Sequence, residues 1–231
     1  MTAKLPQDDA ERLALVRKSL FSSVIGDVLD AMGFLHQFLP PEIRPLSPDM
    51  VLVGRAMPVV EADYWAGSET GRGPLGGQPF GLMLHALDDL RPGEIYVAPA
   101  TRGAYAMWGE LMSTRAMQLG AAGALMDGYS RDTRGILALG FPTFSRGSYG
   151  QDQGARGKVV DFRVPVEIGG VRIEPGALIF GDVDGAVVVP REAEEEAIAR
   201  ALEKVQGEHR VAEAIRNGMS TVEAFRTYGV M

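Results

Sequence analysis

A helical pattern followed directly by a short apolar strand constrains the fold of this chain most. Residues 110–119 have helical periodicity, and the pattern ends at Gly120, which supplies a left-handed stop. The strand pattern Gly123–Met126 follows and runs into Asp127-Gly128. A helix joined through a glycine turn to a buried strand is typical of α/β proteins, which keep functional residues in the loops at one edge of the sheet. We therefore predict an α/β fold with a functional site just after this strand.

The rest of the chain alternates between helical and extended patterns in its middle and is mainly extended towards its end. Helical spacing predicts helices at residues 8–20, 23–32, 81–90, 192–217 and 221–227. Apolar runs predict strands at 51–60, 95–98 and 143–145, and a β-rich stretch at 158–189 with hairpin turns at Gly169-Gly170 and Asp184-Gly185. We predict a single domain over residues 1–231, with the helical regions 8–32 and 192–227 packed against it.

Composition argues against several classes of protein. The chain has no cysteine, which rules out disulfides, thiolate metal sites and a cysteine nucleophile. The net charge of −7 and the isoelectric point near 5.1 disfavour binding to nucleic acid. No apolar run approaches the length of a membrane span, and the first residues lack an apolar leader. We therefore expect a cytoplasmic protein that binds neither nucleic acid nor membrane.

The loop after the predicted strand contains two adjacent charged residues, Arg131 and Asp132. A guanidinium beside a carboxylate offers an anion clamp and a ligand for a hard cation. Upstream, Gly109-Glu110 begins the predicted helix, whose first backbone N–H groups can receive a carboxylate or enolate oxygen. If the strand at 96–98 leads into that helix, both segments lie at one sheet edge. The alternative interpretation is an ordinary solvated ion pair in a surface loop.

Two further predictions concern side chains on these helices. His85 falls on the apolar face of the helix at 81–90, so we expect a packed histidine rather than a metal ligand. One apolar stripe of the helix at 110–119 is formed by Leu111, Met112, Arg115 and Leu119.

The pattern around these residues resembles a known family. Gly-Glu110, twenty intervening residues and Arg131-Asp132 are similar to the signature of class II pyruvate aldolases of the 4-hydroxy-4-methyl-2-oxoglutarate aldolase family, also called RraA-like after the regulator of ribonuclease activity. The resemblance covers about residues 20–231. It includes the segments 27–33, 52–56, 92–97 and 170–190, which are similar to the N-terminal helix, first strand, strand entry and C-terminal hairpin of the family.

The resemblance implies a fold, an assembly and a reaction. The fold is an α/β layered β-β-α sandwich of the swivelling-domain type, and the assembly is a homotrimer or homohexamer with active sites at subunit interfaces. The reaction is retro-aldol cleavage of a small anionic 4-hydroxy-2-oxo acid to pyruvate through a metal-stabilised enolate. Oxaloacetate decarboxylation would proceed through the same enolate. The implied cofactor is Mg²⁺ or Mn²⁺.

The resemblance also implies roles for individual residues. Asp132 would bind the metal directly, and Glu110 would act through a metal-bound water. Arg131 would hold the oxygens of the substrate and offset the charge of the enolate. Backbone N–H groups of residues 109–112, which are Gly109, Glu110, Leu111 and Met112, would bind the C1 carboxylate.

Two acidic residues on outer helices complete the implied site. Asp27 stands where the family places an acidic residue from the N-terminal helix of a neighbouring subunit. Glu208 lies near the position of a carboxylate on the C-terminal helix that approaches the metal-bound waters from the neighbour. Gln206 is the alternative residue at that position.

The sequence departs from the family in one segment and leaves other functions open. An asparagine that many family aldolases carry is absent from the stretch beginning Phe80-Gly81. The alternatives are a non-catalytic RraA-like regulatory protein and a related metal enzyme acting on another small oxo or hydroxy acid. The Arg131-Asp132 pair, which regulatory members lack, favours an enzyme. The glycine-rich loop at 66–78 is a candidate lid, with Arg72 placed to reach an anionic substrate.

Overall fold

The computed structural model describes residues 5–64, 74–75 and 77–229. Most of the candidate lid at 66–78, including Arg72, lies outside the described residues. The described helices are α1 (Asp9–Ser19), α2 (Ser22–Ala31), α3 (Met83–Asp88), α4 (Glu110–Gln118), α5 (Thr133–Leu139), α6 (Glu194–Arg216) and α7 (Thr221–Tyr228). The described strands are β1 (Arg44–Pro45), β2 (Leu52–Asp63), β3 (Glu94–Ala98), β4 (Ala106–Trp108), β5 (Gly123–Met126), β6 (Tyr129–Ser130), β7 (Thr143–Ser145), β8 (Gly157–Phe162), β9 (Val166–Ile168), β10 (Val171–Ile173), β11 (Leu178–Asp182) and β12 (Gly185–Val189).

One mixed sheet organises the fold. Its order is β1-β7-β5-β3-β2-β11-β12, and β8 pairs with the second half of β2. Strands β2, β3, β5 and β7 run parallel to one another, so their carboxyl ends share one edge. The sheet curls until the side chain of Arg44 on β1 donates to the carbonyl of Val183 in the β11–β12 turn, 3.1 Å away. This nearly closed, mixed α/β sheet confirms the predicted α/β class.

The curled sheet buries apolar side chains on both faces. Its inner face holds residues such as Ile95, Val97 and Ile179 and is covered by the β9–β10 hairpin. On the outer face, one helical layer of α3, α4 and α5 packs over β3 and β5. A second layer of α1, α2 and α6 packs over β11 and β12. The alternation along β3, with Tyr96 outward between Ile95 and Val97 inward, follows from the two-residue period of a strand.

Most predicted elements are confirmed, with three corrections. The strands at 123–126 and 143–145 have the predicted bounds. The turn between β11 and β12 consists of Val183 and Asp184, because Asp182 pairs with Gly185, so the predicted turn is one residue too late. The strand at 96–98 does not lead into helix α4, because β4 lies between them. His85 is exposed, so the prediction of a packed histidine is wrong.

Candidate active site

Two parallel strands beyond the main sheet hold the predicted site segments side by side. Strand β4 pairs with β6, and the backbone N–H of Arg131 donates to the carbonyl of Trp108 at 2.9 Å. Helix α4 starts directly after β4, and helix α5 starts directly after Arg131-Asp132. The turn between β5 and β6 is fixed by buried Asp127, whose carboxylate accepts from the Arg146 guanidinium at 2.5 Å. The start of α4 and the Arg-Asp pair are therefore adjacent, but through the β4–β6 pair and not through the strand at 96–98 that the prediction assumed.

The first turn of α4 is locked by a buried hydrogen-bonded chain. The indole Nε1 of Trp108 donates to the Ser113 hydroxyl at 2.7 Å, and that hydroxyl donates to the carbonyl of Gly109 at 3.1 Å. Trp108 is 1% exposed and packs against Tyr96 and Phe141. Because Ser113 faces the core, the helix is rotated from the predicted stripe, and Leu111 is 83% exposed. These hydrogen bonds thus hold the N-terminus of α4 in place, while the side chain of Leu111 projects from it.

Asp132 presents its carboxylate to the mouth of α4. Its backbone lies in the left-handed region, at φ 57° and ψ 35°, and it precedes α5 without capping that helix through its side chain. Its Oδ2 accepts from the backbone N–H of Glu110 at 3.4 Å, a long contact. A Cβ atom added to Gly109 would lie 2.8 Å from the same Oδ2, so glycine is needed there for the close approach. The carboxylate side chain remains 47% exposed.

Glu110 is exposed, and its carboxylate lies over the first turn of α5. A Cβ atom added to Gly135 would overlap the Glu110 carboxylate, which shows how closely the two helices approach. The carboxylates of Glu110 and Asp132 therefore lie on the same α4–α5 junction. The same turn contains the backbone N–H groups predicted to bind the C1 carboxylate, and Gly109, Leu111 and Met112 line a cavity beside it. Their binding role stays a prediction.

Arg131 contacts two carboxylates, and one of them was missed by the sequence analysis. Its Nη1 lies 3.0 Å from Oδ1 of Asp152, and its Nε lies 3.7 Å from Oδ2 of Asp132. Asp152 reaches the site through a parallel bridge to Ala106 in β4. It lies in a glycine-rich segment with no recognisable motif, so tertiary contacts bring it to the site and no sequence pattern indicates its position. Asp152 and Asp132 therefore contact different nitrogens of the same guanidinium.

We expect Asp152→Asn to lower kcat/KM about three- to tenfold for the cleavage reaction that the sequence resemblance implies. The loss is modest because the side chains of Arg131 and Asp152 are 39% and 44% exposed and water screens the pair. If Asp152 acts by holding Arg131, Asp152→Asn will lower kcat/KM by less than about twofold when it is introduced into the Arg131→Ala variant. Steady-state kinetics of the two single variants and the double variant measure this coupling. Full additivity of the two losses would exclude the orienting role.

The site residues border a cavity of about 430 Å³. Arg131, Asp132 and Asp152 form a contacting cluster in the lining of this cavity. The rest of the lining comes mainly from apolar side chains of α3, β4 and α4. This volume lies within the range of small-molecule sites in proteins.

Asp27 and Glu208 lie in the other helical layer. Within one chain, both carboxylates contact the same ammonium group, that of Lys204, at 2.5 and 3.9 Å respectively. Lys204 belongs to α6, which packs over β11 and β12, whereas Arg131 and Asp132 lie beside α4 and α5. One copy of the chain therefore does not bring Asp27 or Glu208 to the Arg-Asp pair. The interface roles implied for them require a second copy and stay predictions.

Two other clefts, of about 550 and 710 Å³, are larger than the cavity beside Arg131. In the first, Arg55 is sandwiched between Asp9 and Glu194, and its hydrogen bond lowers the pKa of Asp9. The charges of Asp9, Arg55 and Glu194 are therefore paired with one another. The second cleft is lined by His36 and Gln37 and by charged side chains that include Arg172 and Glu174, which form an ion pair at 2.6 Å. The Arg-Asp pair that the sequence singled out borders the smaller cavity.

A buried carboxyl group lies behind the site. Glu61 on β2 is 8% exposed, and the side-chain amide of Gln153 donates to its Oε1 at 2.7 Å. Burial raises the pKa of Glu61 to about 8, an effect opposed by a hydrogen bond from Tyr105 and increased by the charge of Asp63. Gln153 follows Asp152 directly, so the buried carboxyl supports the segment that reaches Arg131.

We expect Glu61→Gln to flatten the pH dependence of stability. In the unfolded chain Glu61 ionises near its ordinary pKa of 4.5, and in the folded protein near 8. Between these values the folded state retains a proton that the unfolded state has lost, so the free energy of unfolding of the natural protein falls as pH rises and levels off above 8. The loss is at most about 1.4 kcal/mol per pH unit over this window.

Urea unfolding of both proteins between pH 5 and pH 8 measures this difference. Glutamine keeps an acceptor for Gln153 without a charge, so the variant should gain relative stability towards pH 8. Identical slopes for the two proteins would contradict the raised pKa.

Comparison with known proteins places the chain in a family. A family model described as RraA-like (Aldolase/RraA) matches residues 23–188. The chain is 30% identical over 214 residues, 90% of either chain, to a Halalkalibacterium halodurans protein provisionally named a 4-hydroxy-4-methyl-2-oxoglutarate aldolase. The chain belongs to the RraA-like family, which confirms the resemblance seen in the sequence.

Solved structures share the fold. An uncharacterised protein from Pseudomonas syringae pv. tomato matches with a TM-score of 0.77 at 28% identity, over 92% of this chain and 95% of that one. Streptomyces coelicolor RraAS2, described as an unusual member of the RNase ES inhibitor RraA protein family, matches with a TM-score of 0.77 at 23% identity, over 90% of this chain and all of that one. The RraA-like fold is therefore established for this chain. No helix among the described residues is long and apolar enough to cross a membrane.

Proposed function

We propose that this protein is a divalent-metal-dependent lyase that cleaves 4-hydroxy-2-oxo acids to pyruvate by retro-aldol chemistry. The observation that carries the proposal is the placement of Arg131 and Asp132 together at the mouth of α4, on the wall of a cavity. This is the Arg-Asp pair of the aldolase signature, and its side chains are partly open to solvent. Membership of the RraA-like family and the provisional aldolase name of a relative at 30% identity support the same conclusion.

The oxygen donors at this junction suit a hard divalent metal ion. Among the described residues, no group of three or more His, Asp or Glu side chains could hold a metal ion together. At the α4–α5 junction, Asp132 is the carboxylate proposed to bind the metal directly, and Glu110, which also lies at this junction, is proposed to act through a metal-bound water. Mg²⁺ and Mn²⁺ prefer oxygen ligands, and Mg²⁺ keeps several waters when it binds through one or two carboxylates and substrate oxygens. When bound, such an ion would polarise the 2-oxo group and offset enolate charge.

The proposed roles combine the positions of Arg131, Asp132 and the start of α4 with the roles that the resemblance implies. Backbone N–H groups at the start of α4, within residues 109–112, receive the C1 carboxylate, with the positive end of the helix dipole behind them. The Arg131 guanidinium donates to the oxygens that gain negative charge as the bond breaks. The 4-hydroxyl group must lose its proton, and Asp27 of a neighbouring copy is the proposed acceptor. Glu208 of that copy would hold metal-bound water, so the working form is a homotrimer or homohexamer.

The experiment follows pyruvate release from 4-hydroxy-4-methyl-2-oxoglutarate and from oxaloacetate, coupled to lactate dehydrogenase. We expect turnover with Mg²⁺ or Mn²⁺ that disappears with EDTA and returns with added metal. The oligomeric state of the same sample is measured by light scattering. Absence of pyruvate from these and other 4-hydroxy-2-oxo acids, with folded and metal-supplied protein, would favour a regulatory role instead.

A further inference from the structure

The cavity beside Arg131 and Asp132 is lined mainly by apolar side chains. Its apolar lining includes Phe80, Met83, Leu84, Leu87, Leu111 and Met112. Leu84 and Leu111 are 54% and 83% exposed, so this lining includes two large apolar side chains that are open to solvent. Isolated exposed leucines are common on protein surfaces, but these two flank one concave site that continues from the catalytic pair.

The charged side chains on the cavity wall are already paired with one another. Of the described residues lining it, two are arginines, Arg115 and Arg131, and three are aspartates, Asp88, Asp132 and Asp152. Nε of Arg115 lies 2.7 Å from Oδ1 of Asp88, and Arg131 contacts Asp152. The positive charge of a divalent ion bound at Asp132 would be offset by the negative charge of the C1 carboxylate of a substrate. A second carboxylate at the far end would therefore find no uncommitted guanidinium among these lining residues.

The two kinds of distal group differ strongly in this environment. Each methylene moved from water into an apolar wall improves binding about fourfold. A carboxylate moved there without a cationic partner loses its hydration and gains no ion pair. The wall formed by α3 and α4 therefore favours an alkyl or aryl substituent over an acidic one.

We infer that the substrate is a 4-hydroxy-2-oxo acid whose distal substituent is an uncharged alkyl or aryl group. The inference rests on the proposed function for its reaction and on the cavity wall for its substrate class. The C3–C4 bond breaks and its electron pair becomes the enolate of pyruvate, while the 4-hydroxyl group loses its proton and becomes the carbonyl of an apolar aldehyde or ketone. A proton then adds to C3, so atoms and charge balance without a co-reactant.

Two 2-oxo acids of equal length test the distal preference directly. The probes are 2-oxohexanoate and 2-oxoadipate, which differ only in a terminal methyl or carboxylate group. Calorimetric titration into the protein of residues 1–231 with saturating Mg²⁺ gives both dissociation constants without turnover. We expect 2-oxohexanoate to bind at least about 30-fold more tightly, and 2-oxooctanoate more tightly still. Equal or tighter binding of 2-oxoadipate, or binding of neither acid, overturns the inference.

A charge placed on the apolar wall tests its location. Leu84→Arg, at an exposed position of α3, should shift the ratio of the two dissociation constants at least about tenfold towards 2-oxoadipate. The matched control is Leu137→Arg on α5, an exposed leucine that does not line the cavity, and it should leave the ratio unchanged. Equal ratios for Leu84→Arg and the natural protein would show that the distal group lies elsewhere and overturn the assignment.

The two proposals fail in different ways. Preferential binding of 2-oxohexanoate, with no pyruvate formed from any 4-hydroxy-2-oxo acid, would overturn the retro-aldol reaction and keep the ligand class. Pyruvate release that is efficient only for substrates with a second carboxylate would support the reaction and overturn the apolar preference.

Discussion

Replacing Asp132 by asparagine is expected to lower metal-dependent pyruvate release at least about 1000-fold while leaving the fold intact. The substitution removes the one carboxylate proposed to ligate the metal directly, and an amide oxygen is a much weaker ligand for Mg²⁺. Asparagine is chosen because Asp132 has a positive φ of 57°, which asparagine tolerates and alanine does not. The measurements are pyruvate release at saturating Mg²⁺ and Mn²⁺ binding followed by electron paramagnetic resonance.

The matched control is Asp49→Asn, which removes an exposed carboxylate far from α4 in the sequence and outside the cavity. It should retain activity within about twofold. Thermal unfolding of both variants should coincide with that of the natural protein within a few degrees. If Asp132→Asn keeps Mn²⁺ affinity and turnover, Asp132 does not bind the metal.

Arg131→Ala is expected to lower kcat/KM at least about 100-fold, the second largest effect. Its guanidinium is proposed to donate to oxygens that gain charge as the C3–C4 bond breaks, and loss of one such donor commonly costs two to three orders of magnitude. Arg131→Lys should recover only a small part of this loss, because an ammonium group cannot reproduce the planar, bidentate geometry. Steady-state kinetics with Mg²⁺ measures all three proteins.

Arg134→Ala provides the control for loss of positive charge near the site. Arg134 is exposed on the first turn of α5 and does not line the cavity, so its variant should stay within about threefold of the natural protein. A loss below about fivefold for Arg131→Ala, or equal losses for both variants, would remove Arg131 from the proposed mechanism.

The parts of this fold that sequence predicts best are those governed by local patterns. Strands β5 and β7 have the predicted bounds because each is a short run that the sheet buries on both faces. The start of α4 was predicted from Gly109-Glu110, and the backbone there does begin a helix at Glu110. The adjacency of this start and Arg131-Asp132 comes from the pairing of β4 with β6, and not from the strand at 96–98 on which the prediction depended.

The parts that sequence missed depend on tertiary contacts. Helix α5 has seven residues, contains Gly135 and begins after a left-handed Asp132, so its local signal is weak. Asp152 is brought to Arg131 because it pairs with Ala106 in β4, 46 positions earlier in the chain. No local sequence pattern encodes this pairing. Leu111 and His85 were assigned to faces by spacing alone, and the rotation of each helix is set by its packing against the sheet.

The pairing of β4 with β6 ties the two segments of the proposed catalytic site to each other. Arg131 also donates from its backbone N–H to the carbonyl of Trp108, so we expect a change in one segment to disturb the other. Part of the cavity lining comes from α3, a separate element whose Leu84 is 54% exposed and contributes little to the core. If the proposed reaction is correct, we expect a directed-evolution library confined to Leu84 and its exposed neighbours to change which carbonyl product the site releases without altering Arg131 or Asp132.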